Sequence, residues 1–320
     1  MKINFKLRKI LLFLGFNLIF LAISAPFIVL WGPFQTLKAV TVSMVYTSRH
    51  PQFLKPFLTQ AEIDQIMSSI SQDVNLKQVI TRNTLTSDSS PGITIQDIKG
   101  QSFKGKVMLI KDPKRVKLAV TKQIGVTGER VSDLVKDKGA VAGINAGGFY
   151  DPNGKGNGAF PDGLTVQDGK LVHNNVGNTA QNIVGFNDQD KLVLGSMTAN
   201  QLISKHIRDA VTFGPNLIEN GKTVLIGNGG WGIGPQPRTG IGQMADGTVI
   251  FVVIDGRQPT WSMGATIQDL MNVFTDYKAV TAVNLDGGSS TDLVFNGKVI
   301  NRLCDIFGER YIPTAFVVTP

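Results

Sequence analysis

The chain is poor in the residues that staple or metallate proteins, with one cysteine and three histidines in 320 residues. The lone Cys304 excludes any intrachain disulfide, so the fold must be held by its core. Cys304 stands among Leu303, Ile306 and Phe307 and reads as a small core residue rather than a nucleophile. His50, His173 and His206 are scattered, with no H-x-x-x-H pair or cysteine partner, so no zinc site is expected. The G-x-S-x-G elbow of serine hydrolases is missing. Half of the net +8 charge sits in Lys2, Lys6, Arg8 and Lys9, and no basic patch is interleaved with aromatics. Nucleic acid is therefore not an expected partner.

Directly after those four cations comes an uncharged, mostly apolar stretch from Ile10 to Trp31. At about 1.5 Å per residue it is long enough to span a bilayer as a helix. The basic flank predicts a cytoplasmic tail at 1–9, a membrane anchor at 10–31 and an outward-facing body. A cleaved signal peptide is the alternative, since Ala22-Ile23-Ser24-Ala25 has the small residues of a cleavage site. An exported protein without disulfides suits a bacterial surface.

Residues 32–92 read as a stalk. Thr59 and Glu62 have capping-box spacing, and Ile63, Ile66, Met67 and Ile70 recur at helical intervals, predicting a helix over Thr59–Ile80. Thr86 to Gly92 has the composition of a linker. From Ile93 to Pro320 the chain turns strand-rich. Asp168-Gly169, Asn220-Gly221, Asp246-Gly247 and Asn296-Gly297 each divide two apolar runs and predict hairpins. Short helices are expected at Val131–Lys136 and Thr266–Tyr277. The fold class is α+β: a mixed, hairpin-rich sheet domain with a few packed helices.

Three motifs are set aside or left open. Gly227, Gly229 and Gly232 fit G-x-G-x-x-G, but Pro235 and Pro237 stand where a dinucleotide-binding helix must begin. Gly221-Lys222-Thr223 resembles the end of a P-loop and lacks its leading glycine. Asp151, Asn153, Gly156 and Asp162 fall at EF-hand positions, yet Lys155 occupies a ligand place. No cofactor is expected, with a divalent cation such as calcium at this loop as the alternative.

Three strands run directly into a polar residue and glycine. Val141 to Ile144 leads into Asn145-Ala146-Gly147-Gly148-Phe149-Tyr150, Val249 to Ile254 into Asp255-Gly256-Arg257, and Ala279 to Val283 into Asn284-Leu285-Asp286-Gly287-Gly288-Ser289-Ser290-Thr291. Such ends bring carboxylates and backbone N–H groups up to a ligand, which suggests one site built at strand ends. Asp255 and Asp286 are candidate paired carboxylates, although Asp-Gly pairs also cap turns. Arg238, in Arg238-Thr239-Gly240-Ile241-Gly242, has the planar fork for a phosphate or carboxylate. Ser289 and Ser290 fit hydroxyls that hold the turn or bind phosphate better than nucleophiles.

Taken in order, Asn145 to Tyr150, Gly214-Pro215, Arg238 to Gly242, Asp255-Gly256-Arg257 and Asn284 to Thr291 resemble the signature blocks of the phosphodiester glycosidase family. The likeness covers roughly Ile93 to Pro320. One departure is an extra alanine, Ala146, inside the family's usual Asn-Gly-Gly-Phe-Phe. The resemblance implies hydrolysis of the bond between an anomeric carbon and a phosphodiester, with a sugar-phosphate or glycan as substrate. It implies catalytic roles for Asp286, Asp255 and Arg238. Asn145, Gly148, Asp162, Thr239, Gly287, Gly288 and Ser289 would then line the substrate. A non-catalytic surface module that binds phosphorylated glycans is the alternative; it would keep Arg238 and the glycine turns but could lose a carboxylate, and a structural stalk protein of envelope assembly is a third reading.

Overall fold

The computed structural model describes residues 5–46, 51–72, 81–86, 90–150, 156–224, 234–258 and 260–320. They belong to two compact units, Met1–Asp73 and Val74–Pro320.

The first unit is helical. Helix α1 (Phe5–Trp31) stays helical through Pro26 and contains a segment, Arg8–Trp31, long and apolar enough to cross a membrane. Helix α2 (Gln35–Tyr46) was not legible in the sequence. Helix α3 (Gln60–Gln72) starts where the capping box predicts: the Thr59 N–H donates to Glu62 Oε2 at 2.7 Å. Residues 73–80 of the expected helix lie outside the described residues. The Trp31 indole N–H donates to the Phe57 carbonyl at 3.1 Å, and the Phe27 and Phe57 rings meet edge-on at 5.6 Å.

The second unit begins with the strands β1 (Thr81–Thr86), β2 (Ile93–Lys99), β3 (Lys104–Ile110) and β4 (Val116–Val120), then helix α4 (Val131–Asp137). Next come β5 (Ala142–Asn145), β6 (Phe149–Tyr150), β7 (Phe160–Pro161), β8 (Leu164–Gln167) and β9 (Lys170–Asn174). After β10 (Gln181–Asn187) and β11 (Leu192–Met197) lie helix α5 (Ala199–Ser204), β12 (Ile207–Thr212), β13 (Asn216–Glu219) and β14 (Lys222–Thr223). The last part holds β15 (Arg238–Met244), β16 (Val249–Ile254), helix α6 (Ile267–Asp276), β17 (Ala279–Asn284), β18 (Leu293–Phe295), β19 (Lys298–Val299) and β20 (Thr314–Val318).

An eight-stranded antiparallel sheet, ordered β1-β2-β3-β16-β15-β17-β13-β14, forms the centre. Two five-stranded sheets, β11-β10-β12-β8-β9 and β19-β18-β5-β20-β4, complete the body with the small β6–β7 pair. All four predicted hairpins are present. In three of them both turn residues are left-handed, as at Asp168 and Gly169 with φ of 50° and 75°. The central sheet includes β1, so the body starts before Ile93, and Thr86 ends a strand instead of opening a linker.

Burial on both faces explains the unbroken apolar run of β16. Val249, Phe251 and Val253 pack with Ile144, Phe186 and Phe316 from the other sheets. Ile250, Val252 and Ile254 point the other way, towards Leu270, Val273 and Phe274 of α6. The α6 face presses close because β15 carries glycines there: a Cβ on Gly240 or Gly242 would sit 2.8 Å from the Phe274 ring. Thr266 caps α6 reciprocally with Asp269.

Candidate active site

The register of the central sheet assembles the site. β15 runs antiparallel to both neighbours, pairing Arg238 with Ile254 of β16 and Gly240 with Asn284 of β17. The start of β15 therefore lies between the strand ends that lead into Asp255 and Asp286. Two interstrand spacings, about 9–10 Å, separate those ends. Glycine permits the approach on both sides. A Cβ on Gly256 would lie 2.5 Å from Pro237 N, and one on Gly287 would lie 2.8 Å from Pro237 O.

Asn145, at the end of β5 in another sheet, fastens this edge. Its Nδ2 donates to the Asp286 carbonyl at 2.6 Å, and its Oδ1 accepts from Thr239 Oγ1 at 2.7 Å and from Asp292 N at 3.1 Å. Asn145 is 1% exposed and Thr239 fully buried, so both organise the turn from within. The inserted Ala146 accepts from the Asp286 N–H at 3.1 Å and so becomes part of the same clamp.

Arg238 is held from inside the protein. It is buried, and its Nε and Nη2 donate to the carbonyls of Ala265 and Gly234, each at 3.0 Å. Burial, with Arg257 beside it, pushes its guanidinium down to about 9 against the pull of Asp269. It remains a cation at neutral pH. The half-buried Arg257 stands closer to the turn. A Cβ on Gly288 would lie 3.2–3.4 Å from its guanidinium, and Gly288 itself has φ +62°. Arg257 Nη2 donates to Gln236 Oε1 at 2.6 Å, while Nε is buried without a partner among the described residues. Its φ of 58° places an arginine in the left-handed region, a strained conformation of the kind found at ligand sites. Only the adjoining Asp-Gly pair hinted at this in the sequence.

The two aspartates differ in setting. Asp286 is half-buried. Asp255 is 5% exposed; Oδ2 accepts from Trp261 Nε1 at 2.8 Å and Oδ1 from the Arg302 backbone N at 3.0 Å. Burial raises its carboxyl, opposed first by the Trp261 bond and then by Arg302 N–H. Asp162 is exposed, and its N–H donates to the Gly148 carbonyl at 3.0 Å. Gly287, Gly288 and Ser289 form the half-buried turn after Asp286.

The segment after β19 covers that turn. Cys304 is half-buried, with Sγ 3.6 Å from the Gly288 carbonyl and 4.0 Å from Ser289 Oγ. It is not in the core, because Ile306 and Phe307, its expected partners, are over 90% exposed. Two acids that the sequence did not bring together meet below. Asp292, 3% exposed, is pushed up to about 9 by burial and by Glu309, against the pull of the Leu293 backbone N–H. Glu309 accepts from Ser132 N at 2.9 Å and Ser132 Oγ at 2.6 Å.

Asp151, Asn153 and Lys155 of the EF-hand-like loop lie outside the described residues, as do Gly227, Gly229 and Gly232. Among the described residues no three His, Cys, Asp or Glu gather as metal ligands. A groove of about 600 Å³ opens at the far end of the sheet, beside Gln243 and Asp246, and holds none of the predicted site residues.

A family model described as phosphodiester glycosidase matches residues 138–319. The chain is 28% identical over 278 residues to the SPbeta prophage-derived uncharacterized protein YomE of Bacillus subtilis (strain 168). That alignment covers 84% of this chain and 41% of that protein, so the chain spans well under half of its relative. In structure it is similar to the catalytic domain of zebrafish N-acetylglucosamine-1-phosphodiester alpha-N-acetylglucosaminidase, auto-inhibited by its pro-peptide. The TM-score is 0.60 at 20% identity, over 76% of this chain and 83% of that one. A hypothetical protein from Synechocystis gives 0.55 at 17% identity, over 76% and 68%. At these identities the two structures speak for the fold.

Proposed function

Because this chain belongs to the phosphodiester glycosidase family, we propose that it hydrolyses the glycosidic bond of a sugar-1-phosphodiester in cell-surface glycan metabolism. The observation that carries the reading is the convergence of Asp286, Gly288 and Arg257 at the ends of adjacent central strands, with a second cation, Arg238, beside Arg257.

In this reaction the bond between the anomeric carbon and the phosphate oxygen breaks, and water supplies the new C–O bond. Free sugar and a phosphomonoester leave. The second pKa of a phosphomonoester is about 6, so the leaving group needs less acid assistance than an alcohol. Arg257 and the Gly287–Gly288 turn would hold its charge, with Arg238 adding a fixed positive field. Asp286 is our choice for the carboxylate facing the anomeric carbon. Asp255, with both oxygens engaged, would fix the backbone around Trp261 and Arg302 rather than meet the substrate. Asp162 is left to grip sugar hydroxyls. The engagement of Asp255 also favours a second reading, a module that binds phosphorylated glycans without cleaving them.

We read α1 as an uncleaved anchor because its apolar run continues to Trp31, and the body as outside because of the basic flank at Lys2 to Lys9. The test uses full-length protein in detergent with a sugar-1-phosphodiester, monitored by phosphorus NMR. Growth of a phosphomonoester resonance is expected. An unchanged diester that nevertheless binds would leave the binding module as the correct reading.

A further inference from the structure

Beside the candidate active site stands an indole bracketed by two cations. Trp261 is 37% exposed, with Lys104 Nζ 3.6 Å from its ring centroid and the Arg302 guanidinium carbon 5.3 Å away. Among the described residues neither cation takes part in an ion pair with a carboxylate. The nearby acid, Asp255, spends its oxygens on the indole N–H and on the Arg302 backbone N–H. The ring is thus fixed in place with two cationic side chains against it.

The platform adjoins the phosphate-holding turn. Arg302 is two residues from Cys304, whose Sγ lies against the Gly288 carbonyl, and two residues of chain reach at most about 7 Å. Asp255 leads through Gly256 into Arg257, so one loop links both places. A further cation–ring pair in this unit is Arg310 and Phe149, with the guanidinium carbon 4.7 Å from the ring centroid. A single phosphodiester needs one anion site, and that need is met at Arg257 and Gly288. A second cationic and aromatic platform fits a further phosphate on the same molecule.

We infer that Lys104, Trp261 and Arg302 form a subsite for the next phosphate of a polymer whose sugar or polyol units are joined by phosphodiesters. The inference rests on the proposed function and deepens it from a lone sugar-1-phosphodiester to a repeating anionic chain. Lys104 and Arg302 are the residues to change, because only their backbone atoms bond Asp255: Lys104 O accepts from Asp255 N at 2.9 Å, and Arg302 N donates to Oδ1.

Calorimetry on the full-length protein in detergent would compare a synthetic glycerol-phosphate oligomer with glycerophosphoglycerol, which carries one phosphodiester. Wild type should bind the oligomer roughly tenfold tighter or better, the value of a charge-assisted contact. The preference should weaken as salt rises. The Lys104→Gln/Arg302→Gln double variant should lose the preference while binding glycerophosphoglycerol like wild type. Equal affinities for both ligands in wild type, or an undiminished preference in the variant, would overturn the subsite. Failure of the cleavage reading shows elsewhere, as an absent phosphomonoester signal, and leaves this binding comparison intact.

Discussion

Asn145 Oδ1 accepts a hydrogen bond from Thr239 Oγ1 at 2.7 Å, joining the end of β5 to the start of β15 across two sheets. The contact is buried, and its loss leaves Asn145 Oδ1 with the Asp292 N–H as its remaining donor. Thr239→Val should cost about 1–3 kcal/mol. At roughly 2–4 °C per kcal/mol that is a visible drop in Tm. Asn145→Ala should cost more and also lower turnover, because it releases the Asp286 carbonyl and the Asp292 N–H together. Scanning calorimetry and turnover on both variants check this; unchanged melting in both would remove the clamp.

Arg257 and Arg238 should separate cleanly. Arg257→Gly removes the cation and relieves a left-handed backbone worth about 1–2 kcal/mol of strain. The expected result is a Tm equal to or above wild type with strongly raised KM or lost turnover. Arg238→Lys should do the reverse, destabilising the body because a lysine cannot reach both the Ala265 and Gly234 carbonyls. Normal cleavage by Arg257→Gly would move the anion site elsewhere.

Asp286→Asn should lower kcat about a hundredfold or more with little change in Tm. Asp255→Asn should lose both. Its amide can offer one oxygen where the carboxylate meets two N–H donors, so the Trp261 loop loosens as well. Identical behaviour of the two variants, in either direction, would contradict the different settings of these aspartates.

The Asp292–Glu309 pair predicts a pH dependence of stability. Folded Asp292 holds a proton up to about 9, whereas an unfolded aspartate releases it near its ordinary value of 3.8. The folded chain binds more protons in that window, so the contribution is full below 3.8 and falls as pH rises towards about 9. Asp292→Asn stays neutral and should flatten the slope. Thermal melting of wild type and variant across the window measures it, and parallel curves would refute the pair.

Much of the architecture was legible because it obeys short-range rules. Left-handed turn pairs such as Asn296-Gly297 and the capping boxes at Thr59 and Thr266 are written in neighbouring residues. Strand β1 was missed because Thr81-Arg82-Asn83-Thr84-Leu85-Thr86 has one apolar residue and sits on the sheet edge. Asn145, Thr239, Asp286 and Arg257 could be grouped from their strand ends, but their division of labour depends on lateral neighbours. The carbonyl that Arg238 meets at Ala265, and the acid that Asp292 meets at position 309, are far along the chain. No local pattern separates a buried arginine from one that faces a ligand.

Since Asn145 comes from one sheet and Thr239 and Asp286 from another, correct hairpins alone do not make a working surface. A chain with each sheet formed but not yet docked would own every reactive group and lack their arrangement. Activity would thus report the final docking step of maturation.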